Sequence, residues 1–241
     1  MESTRSANAD IFNHDNEAAD YDDDVRNEAD PIRTGYRDVL RWVVQQAQIT
    51  STSRVLELGS GTGNLSELIA SCAELVSVDV SENMEAIARC KVRHLANRRF
   101  IKADILEVFR QEIGKFDAVI STYTVHHLTD QEKQRLFALV FDHLSPSGAA
   151  VFGDLMVRNS SEKEEKIQQY LTNGDQATAQ AIREEFFWLL DLAIADLEHL
   201  GFKVNAERFS DLSYGVIARK ALGPTTRRPA ISGSVNRPIF R

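Results

Sequence analysis

The sequence predicts an α/β fold, in which helices cover both faces of a doubly wound, mainly parallel sheet. Three observations support this prediction. Short apolar segments recur along the chain, longer amphipathic segments separate them, and the first apolar segment runs into a glycine-rich loop. This alternation is typical of parallel sheets, because two parallel strands need a long crossover connection, usually a helix. A chain of 241 residues can form one large domain.

The first half of the chain shows the alternation most clearly. Residues 35–47 carry apolar side chains at helical spacing, and RVLELGSG, from Arg54, reads as a buried strand that ends in glycines. We further predict helices at 64–72 and 82–93, and strands at 75–80, 99–105 and 116–122.

In the second half, Thr129 begins another helix, because Thr129-x-x-Glu132 is a capping box. This helix is predicted to stop at Pro146 and Gly148, and a fifth strand follows at 149–155. The next segment, 156–200, is predicted to form a helical cap that includes one long amphipathic run from Ile182 to Leu200. The segments 202–209 and 214–220 then resemble a closing antiparallel pair of strands.

The charge is unevenly distributed along the chain. Lysine and arginine number 28 and acidic residues 36, so the net charge is −8. Residues 1–30 contain ten acidic residues and two arginines, while the tail, 221–241, contains four arginines and no acid. An acidic body repels phosphate backbones, so nucleic acid is an unexpected partner, although the basic tail is a local exception. Proline, glycine, serine and threonine in the tail favour disorder.

Several features predict a soluble, cytoplasmic protein. No apolar stretch is long enough to span a membrane, and the N-terminus lacks the apolar region of a secretory signal. Cys72 and Cys90 both lie in helical patterns and indicate a reduced compartment without a disulfide framework. The sequence gives no prediction of oligomeric state.

The glycine loop is the most informative motif. Gly59, Gly61 and Gly63 follow a strand, and glycines let the backbone turn tightly and approach a ligand. Dinucleotide enzymes have glycine at the first, third and sixth positions, whereas here the sixth is Asn64. The preceding Glu57 is also unusual for a dinucleotide-binding strand. The loop therefore favours a different nucleoside ligand.

Two aspartates follow the next two strands at the same sheet edge. Asp79 ends the second strand, where a carboxylate can accept hydrogen bonds from both ribose hydroxyls. Asp104 ends the third strand, where it could accept a hydrogen bond from an adenine amino group. Taken alone, each has a plain structural interpretation, as an acid near a helix start or as a loop cap.

This set of motifs resembles the class I S-adenosylmethionine-dependent methyltransferases. The matching segments are ELGSGTG (57–63), Asp79, ADI (103–105) and FDAVI (116–120), and the likeness spans about residues 16–220. STYTVHHLTD, together with EAADYDDDV, is similar to a bacterial branch that acts on small molecules. The resemblance implies a Rossmann-like sheet of seven strands with the last strand antiparallel. It also implies S-adenosyl-L-methionine as cofactor, bound across the carboxyl ends of the first four strands.

The resemblance assigns roles to individual residues. Gly59 and Gly61 would pack against the methionine part of the cofactor, Glu57 would reach its amino group through water, and Asp79 would hold the ribose. The full set of expected cofactor-binding residues is Tyr21, Glu57, Gly59, Ser60, Gly61, Asp79, Val80, Asp104, Ile105 and Ser121.

The resemblance also divides the chain into three parts. Residues 1–30 would be an acidic segment in which Tyr21 belongs to a lid over the cofactor. Residues 31–220 would be the methyltransferase domain, with the cap at about 156–200, and 221–241 the disordered tail.

The candidate catalytic residues are Tyr123, His126 and His127, in the loop that leaves the fourth strand. An imidazole there could accept a proton from a methyl acceptor, and Tyr123 could contact the acceptor or the methyl-bearing sulfur. Packing roles stay open for all three. No metal site is predicted. The side chains of the adjacent histidines are expected to point in different directions, and no further residue stands at a metal-ligand spacing from Asp154. Phe186, Phe187 and Trp188 cannot all face the core of one helix, so at least one is expected to face a cap, partner or pocket.

The function predicted from the sequence is transfer of a methyl group to a small-molecule acceptor, with the acceptor atom (O, N, S or C) open. One alternative is a tRNA-modifying enzyme with the same fold. Another is a non-catalytic regulatory protein that binds the cofactor. The acceptor itself is not predicted, because cap residues vary widely on this fold.

Overall fold

The structure, a computed structural model, describes residues 5–7 and 15–221. The tail beyond residue 221 and residues 1–4 and 8–14 of the acidic segment lie outside the described residues.

The predicted α/β architecture is confirmed. The helices are α1 (Tyr21–Asp24), α2 (Tyr36–Ala47), α3 (Glu82–Lys91), α4 (Asp130–His143), α5 (Ser160–Thr172), α6 (Gln176–Glu184) and α7 (Leu190–His199). The strands are β1 (Arg54–Leu58), β2 (Glu74–Asp79), β3 (Arg98–Lys102), β4 (Phe116–Thr122), β5 (Leu144–Val157), β6 (Trp188–Leu189), β7 (Phe202–Arg208) and β8 (Ser213–Lys220).

Seven strands form a continuous sheet in the order β3-β2-β1-β4-β5-β8-β7. Strands β1 to β5 pair in parallel, and β8 pairs antiparallel with both β5 and β7, which confirms the predicted antiparallel last strand. The two-residue β6 pairs with the end of β5. Because the strand order reverses at β1, its carboxyl end and that of β4 form a switch point, where such sheets bind ligands.

The core consists of two apolar layers, one on each face of the sheet. Successive residues of β1 illustrate this, since Val55 belongs to one layer and Leu56 to the other. Helix α2 packs closely on the sheet through Trp42, and a Cβ at Gly215 would lie 2.3 Å from the Trp42 ring. Glycine at position 215 therefore sets how closely α2 approaches the sheet.

The structure corrects the prediction of a helix at 64–72. Only a 3₁₀ turn, Ser66–Leu68, forms there, and the chain is extended from Ile69. The ring Nε2 of His94 lies 2.8 Å from the carbonyl oxygen of Ile69. This carbonyl is therefore bonded to a side chain instead of an amide in a following helical turn.

The start of the fifth strand is also corrected. Strand β5 begins at Leu144 and contains Pro146 and Gly148, which were predicted to lie before it. Leu144 pairs with Phe116 and the register shifts before Ala149. Proline is tolerated in this irregular part of the strand because a regular ladder hydrogen bond is not required there.

The predicted long helix of the cap is divided into α6 and α7 by an extended segment. Phe187 and Trp188, 2% and 0% exposed, lie in opposite apolar layers, since successive residues of an extended chain face opposite sides. Phe186 is 37% exposed, so the three aromatic side chains do face different environments, as expected. They do so because the helix is interrupted, not because they lie on different faces of one helix. Within the described residues, every helix is too short or too polar to cross a membrane.

Candidate cofactor cleft and acceptor site

A cleft lies at the carboxyl ends of β1 to β4 and encloses about 860 Å³ of empty space, counted out to its open mouth. It is lined by most of the predicted site residues: Tyr21, Gly59, Ser60, Gly61, Asp79, Val80, Asp104, Ile105, Tyr123 and His127. Glu57, Ser121 and His126 are buried near this edge and do not line the cleft.

The glycine loop forms the floor of the cleft. Gly59 has φ +70°, and a Cβ added there would lie 2.2 Å from the Thr124 hydroxyl oxygen. The amides of Gly59 and Ser60 both donate to the carbonyl oxygen of Val78, at 2.8 and 3.0 Å. The loop is therefore fixed to β2, and the absence of a side chain at Gly59 makes room for Thr124.

Asp79 is held in a fixed position beside this loop. One carboxylate oxygen accepts a hydrogen bond from the Gly61 amide at 2.7 Å, and the other accepts one from the Ser81 amide at 2.9 Å. A carboxylate oxygen has two acceptor sites and can accept from an amide and a hydroxyl at once. This arrangement suits a pair of neighbouring ribose hydroxyls.

Asp104 lies at the far end of the cleft and is 4% exposed. Its Oδ1 accepts a hydrogen bond from the Leu106 amide at 2.8 Å, and its Oδ2 accepts one from the Ser6 hydroxyl at 2.5 Å. The side chain of Ser6 therefore lies at the position where the sequence predicts an adenine amino group.

The acidic N-terminal segment is hydrogen-bonded to the glycine loop. The Asp22 carboxylate accepts hydrogen bonds from the side chains of Thr62 at 2.6 Å and Asn64 at 3.0 Å, and it pairs with Lys91 at 2.5 Å. Partial burial opposes ionisation of Asp22, but the hydrogen bonds from Lys91 and Thr62 hold its pKa below the ordinary value. These bonds place Tyr21 over the cleft.

Glu57 and Ser121 lie beneath the loop. The Ser121 hydroxyl donates to the carbonyl oxygen of Leu58 at 2.7 Å, and the Ser77 hydroxyl donates to Oε2 of Glu57 at 3.0 Å. Oε1 of Glu57 has no hydrogen-bond partner among the described residues. Burial raises the pKa of Glu57 to about 7, although the nearby hydroxyls of Ser66 and Ser77 act in the opposite direction.

Glu57→Gln is expected to stabilise the ligand-free protein at high pH. The folded-state pKa of about 7 exceeds the ordinary 4.5, so the folded protein binds this proton more tightly than the unfolded chain does. Glu57 therefore lowers the free energy of unfolding as pH rises from about 4.5 to 7, by about 3 kcal/mol in full. Urea unfolding should show Glu57→Gln gaining up to that amount at pH 8 and little at pH 5. An equal effect at both pH values would contradict this prediction.

Tyr123 lies on the wall of the cleft directly after β4. It has φ +49°, in the left-handed region that is uncommon for a bulky residue. Its ring centroid is 5.0 Å from that of Tyr36, and its hydroxyl lies 3.4 Å from the Ser213 hydroxyl. Burial raises the pKa of Tyr123 well above the ordinary value, so the phenol stays protonated near neutral pH. Strained backbone of this kind is concentrated at functional sites.

The two histidines occupy different positions in a 3₁₀ turn, Val125–His127. His127 lines the cleft, whereas His126 is 5% exposed and its Nδ1 lies 2.5 Å from Oδ1 of Asp154. The Nε2 of His126 lies 3.2 Å from Oε2 of Glu185. The two imidazole centroids are 4.0 Å apart, so the expectation that the side chains point apart is wrong. A tight turn, unlike a strand, places adjacent side chains side by side.

Several lining residues were not predicted from the sequence: Ser6, Tyr36, Thr62, Asn64, Leu65, Ser81, Met84, Thr122, Thr124 and Leu128. Thr62 and Asn64 belong to the glycine loop, and Thr124 follows β4, so proximity to the motifs could have indicated them. Ser6 and Tyr36 carry no such signal, because the path of their segments depends on tertiary contacts.

S-adenosylmethionine fits this cleft by its chemistry. A nucleoside finds two fixed carboxylates at adjacent strand ends. The backbone at Gly61, where an added Cβ would meet no atom within 4 Å, accommodates a closely packed ligand. The unsatisfied buried oxygen of Glu57, beneath the same loop, suits the positive charge of an amino group, directly or through water.

Comparison with known proteins agrees with this interpretation. A family model described as a methyltransferase domain matches residues 55–148. A methyltransferase of Anoxybacillus flavithermus is 32% identical over 204 residues, which cover 81% of this chain and 90% of that protein. One of Oceanobacillus iheyensis is 28% identical over 83% of this chain and 92% of its own length.

Solved structures share the fold. The magnesium protoporphyrin IX methyltransferase of Synechocystis PCC 6803, crystallised with S-adenosylmethionine, has a TM-score of 0.62 and 16% identity over 92% of this chain and 99% of its own. With a relative above 30% identity over most of both chains, and with the predicted sheet and strand-end motifs in place, the chain belongs to the class I S-adenosylmethionine-dependent methyltransferases.

Proposed function

We propose that this enzyme transfers the methyl group of S-adenosylmethionine to a small-molecule acceptor held beside His127. The observation that supports this most directly is the composition of the cleft. Carboxylates suited to a nucleoside lie at the β2 and β3 ends, while Tyr123 and His127 form a separate wall at the β4 end. The cofactor, when bound, supplies a methyl group on a positively charged sulfur.

Separate residues of the chain would bind the cofactor, exclude water and promote loss of the acceptor's proton. Asp79 would accept hydrogen bonds from the ribose hydroxyls, and Asp104 with Ile105 would hold the adenine. Tyr21 would cover the cleft and exclude water, which favours a displacement that neutralises charge. His127 would promote loss of the acceptor's proton, a task that suits an imidazole.

A small acceptor is favoured over RNA by the electrostatics. The net charge is −8, and no lysine or arginine is among the described residues that line the cleft. A phosphate backbone would therefore be repelled where it has to enter. The structural neighbour from Synechocystis acts, by its description, on magnesium protoporphyrin IX, a small molecule. A cytoplasmic location is part of the same proposal.

Incubation with a methyl-labelled donor, once with a cellular metabolite extract and once with total RNA, tests the proposed function. Label in small products supports it. Label in RNA would instead support the tRNA-modifying alternative. Cofactor binding without transfer to either pool would support a regulatory, non-catalytic protein.

Asp79→Ala is expected to weaken cofactor binding by about 1–3 kcal/mol, because charge-assisted hydrogen bonds to the ribose are lost. Asp117→Ala is the matched control. Its carboxylate lies in the same sheet but near the amino end of β4, where it accepts a hydrogen bond from the Arg54 amide at 2.9 Å. Calorimetry with S-adenosylhomocysteine should separate the two variants. Equal affinities would remove Asp79 from the proposed site.

The N-terminal segment is expected to act as a lid that is fastened by the Asp22–Lys91 pair. Asp22→Ala should lower cofactor affinity by about 1–3 kcal/mol, since its bonds to Lys91 and Thr62 hold Tyr21 over the cleft. The effects of Asp22→Ala and Lys91→Ala should be less than additive in the double variant, because both remove the Asp22–Lys91 pair, although Lys91 also donates to Oδ1 of Asn64 at 2.6 Å. Asp23→Ala is the control, since its side chain is 89% exposed. If Asp22→Ala behaves like Asp23→Ala, the segment does not act as a lid.

A further inference from the structure

We propose that His126, His127 and Glu185 bind a divalent transition-metal ion, such as Zn²⁺, at the acceptor wall of the cleft. Each residue offers one ligand atom, and the three atoms lie within 4.8 Å of one another. Two imidazoles and one carboxylate are a ligand set that binds zinc in enzymes and leaves a coordination position open. His127 also lines the cleft, so an ion held by these residues would adjoin it.

The distance between two of the ligands suits a shared ion. The Nε2 of His126 lies 3.2 Å from Oε2 of Glu185. Ligands bound tetrahedrally at about 2.0–2.2 Å from zinc are themselves about 3.3–3.6 Å apart. Despite this approach, Oε2 of Glu185 receives no hydrogen bond of normal geometry from the described part of the chain. The two groups are therefore placed as ligands of one ion would be, rather than as a well-aligned ion pair.

Asp154 prepares His126 for such a role. It is 1% exposed and faces the Nδ1 of His126 at 2.5 Å, so this nitrogen is the protonated one when the ring is neutral. The Nε2 then carries the lone pair on the side of Glu185. A carboxylate behind a histidine ligand is the usual arrangement in metal sites, where it fixes the tautomer and orientation of the ring.

Both carboxylate oxygens of Asp154 accept further hydrogen bonds. Its Oδ2 accepts hydrogen bonds from the amides of Val125 and His126, at 2.9 and 3.2 Å, and from the Trp188 ring at 3.3 Å. Its Oδ1 also accepts one from the Leu155 amide at 2.8 Å. These donors fix the carboxylate in the position from which it orients His126.

The cap holds Glu185 against the histidines. The amide of Phe186, the next residue, donates to the carbonyl oxygen of His126 at 3.1 Å. The buried ammonium of Lys133 donates to the carbonyl oxygens of Phe186 and Leu128, both at 2.6 Å. The ligands are thus positioned by contacts between separate elements before any ion binds, which favours affinity.

This inference rests on the proposed function for its consequence. An acceptor hydroxyl or thiol bound at the open position would have a lowered pKa, and its proton would pass to solvent. The acceptor's lone pair would then form the bond to the methyl carbon, while the electrons of the broken carbon–sulfur bond stay on sulfur. The expected acceptor is therefore an alcohol, a phenol or a thiol.

Titration of the metal-free protein with Co²⁺ tests the site independently of methyl transfer. We expect one equivalent to bind with the visible absorption of a four-coordinate ion, and Zn²⁺ to displace it. Glu185→Gln and His127→Asn should remove this absorption, and Asp154→Asn should weaken binding by about 10–100-fold. His199→Asn is the control for adventitious surface binding, because His199 is exposed in α7. Circular dichroism and S-adenosylhomocysteine binding would establish that each variant is folded.

Two results would overturn the proposal. One is the absence of Co²⁺ and Zn²⁺ binding to the wild-type protein, which would show that the approach of His126 to Glu185 serves no metal. The other is binding that persists in both Glu185→Gln and His127→Asn. Either result leaves the proposed methyl transfer intact if labelled small products still form. Conversely, Co²⁺ binding at this site without any methyl transfer would support the metal site and contradict the proposed function.

Discussion

Gly59→Ala is expected to abolish measurable cofactor binding while leaving the protein folded. Gly59 has φ +70°, and an added Cβ would lie 2.2 Å from the hydroxyl oxygen of Thr124 and 2.7 Å from its Cβ. A left-handed conformation alone costs an alanine roughly 1–3 kcal/mol. Rotation of Thr124 cannot relieve the contact with its Cβ, so the loop itself has to move. Such a movement would displace Gly61, whose amide is bonded to Asp79.

The chain provides a matched control for this variant. Gly174 has φ +81° and has no atom within 4 Å of an added Cβ, so Gly174→Ala carries the backbone strain without the clash. We expect Gly59→Ala to raise the dissociation constant for S-adenosylhomocysteine by at least about 100-fold, equivalent to about 3 kcal/mol. Gly174→Ala should lower the melting temperature slightly and leave affinity unchanged. Normal affinity in Gly59→Ala would show that the ligand does not rely on this loop.

The fold was largely predictable because its pattern is local. Strands such as β1 and β4 are short apolar runs, and the capping box at Thr129 is a property of four consecutive residues. The missing helix at 64–72 was not predictable in this way. The Ile69 carbonyl contacts His94, which is distant in sequence, and such a contact cannot be read from a local pattern.

The cofactor side of the site was predictable for a topological reason. The carboxyl ends of parallel strands meet at one sheet edge, so Asp79 and Asp104 had to lie near the glycine loop. The acceptor side has no such rule. Glu185 reaches His126 because the helix of the cap is interrupted between α6 and α7. The sequence does not indicate this interruption, since it has the pattern of one continuous amphipathic helix.

His127→Ala is expected to lower the rate of methyl transfer by about 10²–10⁴-fold, with cofactor affinity nearly unchanged. A hydroxyl, amine or thiol acceptor loses a proton as it is methylated, and His127 is the histidine that lines the cleft in the described structure. The cofactor-binding carboxylates, Asp79 and Asp104, lie at other strand ends, so their contacts should persist. His126→Ala is the less informative variant, because His126 is buried against Asp154 and its removal takes away one contact of that buried carboxylate.

The measurement is single-turnover methyl transfer to an identified acceptor, with S-adenosylhomocysteine affinity and melting temperature recorded for each variant. The same assay separates two ways in which His127 can act. If its imidazole takes the proton directly, a chelator leaves the wild-type rate unchanged. If it acts as a metal ligand, chelation lowers the wild-type rate to that of His127→Ala, and added Zn²⁺ restores only the wild type. A full rate in His127→Ala would exclude both roles and leave His127 as a packing residue of the cleft wall.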